Sequence, residues 1–144
     1  MKRILVDLLR FTLAGVFLWA AFSKIPQPHE FATAVFRYQL LPHALVNVFA
    51  LYLPWLELVI AFALINWRGL REAAALGYAL LTALFTAAII STIARDINIS
   101  CGCFSSSGVA ASDHTVHLVG NIALICSALY LFFAARKERL AVNR

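Results

Sequence analysis

Long apolar runs alternate with short polar segments along the whole chain. The hydrocarbon core of a bilayer needs about 20 predominantly apolar residues per crossing helix. Four stretches meet that requirement: about 4–22, 44–66, 73–94 and 115–135. The segments between them are 23–43, 67–72 and 95–114, with a tail from 136. Lipid offers the backbone no hydrogen-bond partner, so each run must satisfy its own N–H and C=O groups as a helix. The pattern therefore predicts an all-α fold. It is a four-transmembrane-helix antiparallel bundle, a single integral membrane domain over residues 1–144 with lipid as its medium.

The first connection breaks the simple alternation. In "SKIPQPHEFATAVFRYQLLPH", Pro26 and Pro28 interrupt the helix. Phe31, Ala32, Val35, Phe36, Leu40 and Leu41 then recur at near-helical spacing until Pro42 stops them. This predicts a short outer amphipathic helix between helices 1 and 2, either a packed cap on the bundle or a lid over a site. The third connection, "RDINISCGCFSSSGVAASDH", is rich in Gly, Ser, Asn and Asp and reads as loop. Connections of that length without regular structure are usually functional or mobile.

Composition agrees with the spans. Of the 144 residues, 62% are hydrophobic and 13% charged, whereas soluble domains average about 45–50% and about 25%. The net charge of +5 does not indicate nucleic acid, because the basic residues follow a membrane pattern. Lys2, Arg3, Arg68, Arg71, Arg136, Lys137, Arg139 and Arg144 flank one side of the spans; only Lys24, Arg37 and Arg95 flank the other. Lys and Arg collect on the cytoplasmic side, so both termini are expected in the cytoplasm of a bacterial inner membrane. The basic start resembles a signal peptide, but the apolar run is long and "FSKIPQ" is a poor cleavage site, which makes it a retained helix.

Small residues allow close helix contact: Ala74, Gly77 and Ala79 among others on the third helix, Gly120, Ala123 and Ala128 on the fourth. Trp19, Tyr52, Trp55, Trp67 and Tyr130 are interface or packing aromatics, with Trp67 beside Arg68 at the inner surface.

The candidate chemistry centres on Cys101 and Cys103, one glycine apart in the polar third connection. By the charge pattern this connection faces an oxidising compartment, where disulfides form and persist. One intervening residue makes a tight ring, and disulfide geometry is demanding. Strained, exposed disulfides are the exchange-prone ones. A redox-active pair, a static disulfide and a soft-metal grip all fit two such thiols. Two sulfurs alone do not complete a tetrahedral metal site, and His29, His43, His114 and His117 show no strong metal-ligand spacing. Cys126 lies about 16 Å into the fourth helix and reads as a buried small hydrophobe.

Ionisable residues inside spans are costly and functional by default. Glu57 sits mid-span, three residues after Pro54, which frees a backbone carbonyl. Asp7 and Arg10 are spaced i, i+3 and can pair. Arg10 lies about 9 Å, and Glu57 about 15 Å, from the inner ends of their spans. Two readings follow: an Asp7–Arg10–Glu57 network pinning helices 1 and 2, or a proton or quinone-headgroup site. Trp55 and Trp19 are then further candidates beside the quinone.

The segments "GVFLWAAFSKI", "FRYQLLP", "LPWLELVIAFALI" and "CGCF" together resemble the DoxX-like membrane proteins, in particular their methylamine-utilisation MauE branch. The resemblance covers roughly residues 10–135. It implies a four-helix inner-membrane protein that works with a periplasmic thioredoxin-like partner on a disulfide-rich protein. A related branch implies quinone reduction. Cys101 and Cys103 match the family's cysteine pair, and Pro54 and Glu57 its P-x-x-E; Ser105 stands where a glycine is expected. The leading functional expectation is a thiol–disulfide oxidoreductase exchanging disulfides with that partner or a substrate protein, with quinone as a candidate electron acceptor. The alternative is a soft-metal binding or transport protein using the same cysteines, with Cys126 as receiver.

Overall fold

The computed structural model describes residues 2–95 and 114–142. Among them are five α-helices: α1 (Lys2–Lys24), α2 (Pro28–Arg37), α3 (His43–Asn66), α4 (Arg71–Ala94) and α5 (His114–Val142). Four helices are long and apolar enough to cross a membrane, over Ile4–Lys24, His43–Asn66, Arg71–Ala94 and His117–Ala141. The four spans read from hydropathy are all present, and they differ only at their ends. The last helix runs on to Val142 because "AARKERLAV" contains no glycine or proline to stop it. There Arg139 Nε lies 3.1 Å from Glu72 Oε2 at the start of α4.

The long helices form a ring in chain order, α1 against α3, α3 against α4, α4 against α5, and α5 against α1. Their inner faces bury small and medium side chains, among them Leu13, Ala14, Ala50, Leu64, Ala75 and Ala128. Their outer faces expose Leu8, Leu51, Val59, Phe62, Leu80 and Phe133. A helix that is apolar on every side suits a lipid solvent, in which outward leucines cost nothing. Packing then depends on close approach. Gly77 of α4 is such a point, since a Cβ added there would meet Ile60 Cδ1 of α3 at 3.4 Å. Ala74, Ala75 and Ala79 are buried beside it, whereas Gly120 and Ala123 of α5 face outward.

The expected amphipathic helix is α2. It begins at Pro28, where the missing N–H is harmless and the fixed φ suits a first turn. It ends at Arg37, earlier than the apolar repeat through Leu41 predicts. The chain turns instead at Tyr38 and at Gln39, whose φ of 50° lies in the left-handed region. Arg95, the C-cap of α4, reaches across and donates to the carbonyls of Tyr38 and Gln39. Phe31 is the buried anchor of α2, and α2 lies mainly against α3.

Candidate functional site

The buried faces of α1 and α3 each carry one charge. On α1 the residues Leu13, Phe17, Ala20 and Ala21 are buried, and Lys24 continues that stripe at helical spacing. On α3 the stripe is Ala50, Leu53, Pro54, Glu57, Ile60, Ala61 and Leu64. Lys24 Nζ donates to both carboxylate oxygens of Glu57, at 2.9 Å each. The side chains are 3% and 1% exposed. A lysine at a span end normally extends to the interface; this one turns into the bundle.

Aromatic rings surround the pair. Lys24 Nζ lies 5.4 Å from the Phe31 ring centroid on α2 and 5.7 Å from that of Phe85 on α4. Phe17 and Tyr78 stack across the core with centroids 3.7 Å apart. Four helices therefore converge on one point: α1 supplies the cation, α3 the anion, and the short α2 and α4 the walls. Isolated charges cannot be left in such a place, and the fork of two hydrogen bonds is what makes this burial tolerable.

Glu57 was expected to meet Arg10, and it does not. Arg10 Nη2 pairs with Asp7 Oδ1 at 3.1 Å, as the i, i+3 spacing requires. That pair is a separate feature, fourteen residues or about 21 Å along α1 from Lys24. Distances counted from span ends assume the helices lie level. Here they are staggered, so the last residue of α1 meets the fifteenth of α3. Lys24 could have been found in the sequence: it falls at i+7 from Phe17 on the stripe that α1 buries.

The other expected residues scatter. Trp19 and Trp55 are exposed on the bundle's outer surface, whereas Glu57 is buried with Lys24 and Arg10 pairs with Asp7. Cys126 is exposed on α5 as a free thiol, not buried as expected; α5 is the least enclosed of the spans, so much of its surface has no protein neighbour. His43 stacks obliquely on Phe36 at 4.4 Å. No three His, Cys, Asp or Glu among the described residues gather as a metal site would require. Cys101 and Cys103 lie outside the described residues. Near the end of α4 that leads to them, burial pushes the Tyr38 phenol up to about 12, so it stays neutral through the physiological range.

Fold and charge placement define a class, a four-span helical membrane protein with a buried ion pair in its core. Residues 2–134 match the family described as methylamine utilisation protein MauE, and the chain belongs to that family. It is 38% identical over 120 residues to a methylamine utilization protein MauE of Methylophilus methylotrophus, covering 83% of this chain and 63% of that one. With the Paracoccus denitrificans protein of the same description it shares 37% identity over 97 residues, covering 67% and 52%. The chain thus spans between half and two thirds of the length of these relatives. No solved structure matches it.

Proposed function

We propose that this chain is an accessory protein of methylamine utilisation that carries out thiol–disulfide exchange at the outer face of a bacterial inner membrane. The observation that carries this reading is the Cys101–Gly102–Cys103 pair in the polar connection on the end poor in Lys and Arg. The relatives' description as methylamine utilization proteins supports the setting, and the resemblance of Cys101 and Cys103 to the cysteine pair of the MauE branch supports the chemistry. Both termini lie in the cytoplasm on this reading.

The exchange balances without any further group. The thiolate of Cys101 or Cys103 attacks a disulfide sulfur of a periplasmic thioredoxin-like protein or a disulfide-containing substrate protein. A mixed disulfide forms and one partner thiolate leaves. The second cysteine then attacks the mixed disulfide, leaving Cys101–Cys103 oxidised and the partner as a dithiol; the reverse direction oxidises the partner. The exchange needs no quinone; a quinone enters only as a candidate acceptor of the electrons held by the reduced pair.

Trapping tests this reading. In a Cys103→Ala chain, Cys101 should hold a periplasmic protein as a mixed disulfide, seen as a slower band on non-reducing electrophoresis that reduction abolishes. A chain lacking both cysteines that supports methylamine growth as well as wild type would overturn it. Stoichiometric soft-metal uptake by the reduced pair, with no trapped protein, would favour the metal-handling alternative.

A further inference from the structure

The helix face of α4 that brings Phe85 to Lys24 also carries two buried hydroxyl side chains. Tyr78 is fully enclosed and Thr82 is 3% exposed. Among the described residues neither the Tyr78 hydroxyl nor the Thr82 hydroxyl has a hydrogen-bond partner. Both belong to one face of α4, since positions 78, 82 and 85 follow the i, i+4, i+7 repeat. That face borders the ion pair: Phe85 lies 5.7 Å from Lys24 Nζ at one end, and at the other Tyr78 stacks on Phe17 of the α1 stripe that leads to Lys24. Thr82 falls between them.

Other threonines of α4 show what an idle hydroxyl does. Thr86 Oγ1 donates to the Thr82 carbonyl at 2.7 Å, and Thr92 Oγ1 donates to the Ile89 carbonyl at 2.7 Å. Bonding back to the helix is open to Thr82 too, yet it does not do so. Buried hydroxyls in proteins are almost always bonded to protein or to ordered water. Two orphans on the one face of α4 that borders the ion pair therefore call for one explanation.

We infer that Tyr78, Thr82 and the Lys24–Glu57 pair form a hydrated site inside the bundle that binds ordered water. The chemistry selects a small, neutral, amphiprotic ligand. The ion pair is neutral as a whole, so it does not call for a counter-ion. Lys24 uses two of its three N–H groups on Glu57, and each Glu57 oxygen keeps a further lone pair. Each hydroxyl can both donate and accept. A molecule that donates to a carboxylate and accepts from a phenol or threonine meets these needs, and water is the smallest. A buried water normally makes about three hydrogen bonds to groups otherwise left unsatisfied. The pair is then wet rather than a dry clamp, and its protons are exchangeable within the membrane core. This inference does not depend on the thiol reading and fails or survives separately.

A high-resolution structure of the chain in lipid nanodiscs, paired with thermal unfolding of Tyr78→Phe and Thr82→Val, tests it. Density for ordered water on both hydroxyls, with at least one water shared with Glu57, is expected. Tyr78→Phe keeps the ring stack on Phe17 and should lower the melting temperature, because it strands that water. Hydroxyls bonded directly to protein acceptors, or no density beside them, would overturn the inference. So would a Tyr78→Phe melting temperature equal to or above that of wild type, which is what removing an unsatisfied buried hydroxyl produces.

Discussion

Lys24 and Glu57 are separated by 33 positions in sequence and joined by two hydrogen bonds in space. What each contributes depends on the other. Removing one partner leaves a lone charge in a low-dielectric core, at a cost of about 3–5 kcal/mol. Replacing both with apolar side chains of similar volume removes that penalty. We therefore expect Lys24→Met and Glu57→Gln each to lower the unfolding temperature in detergent sharply. Lys24→Met combined with Glu57→Met should recover most of the loss. Equal loss in the double variant would mean that the pair does more than neutralise itself. Arg10 is a separate case, because its partner Asp7 stands on the same helix and is half-exposed.

Within the helices, hydropathy alone carried most of the information. Each span required about 20 apolar residues, and each is there, because lipid removes every alternative to a helix. The shorter α2 was legible for a different reason. Its prolines bracket it, and Phe31 repeats with Val35 on one face. Its end was not legible, since a left-handed Gln39 and a guanidinium from α4 decide it. Contacts between helices follow the same division. Gly77 marks a close approach of α4 to α3, but a methyl group would meet Ile60 Cδ1 only at ordinary contact distance. Glycine inside a helix costs about 1 kcal/mol relative to alanine. Gly77→Ala should thus leave the melting temperature unchanged or raise it. Gly77→Leu should lower it, by wedging α4 away from α3. Thermal unfolding of both variants in one detergent distinguishes a space-filling glycine from an obligatory one.

At the level of the molecule, the long helices alternate in direction, so α2, the end of α4 and the start of α5 share one end and the Arg68–Leu70 turn lies at the other. The proposed orientation puts the first end outside. In a chain whose native cysteines are replaced by serine, Glu30→Cys should react with a membrane-impermeant maleimide added to spheroplasts. Gly69→Cys should react only after the membrane is opened. The opposite pattern would reverse the orientation and remove the oxidising compartment that the thiol reading requires.

The sequence by itself determined the number of spans, their order, the amphipathic helix and the pairing of Asp7 with Arg10. All of these depend on local composition or on spacing within one helix, where geometry is fixed at 3.6 residues per turn. The tertiary structure alone decided the partner of Glu57, the outward position of Cys126 and the convergence of Phe31 and Phe85 on the ion pair. Those depend on how far one helix slides along another and how each is rotated. In helices apolar on all sides, the hydrophobic pattern hardly constrains either quantity. Close packing and the need to neutralise a buried charge set them instead.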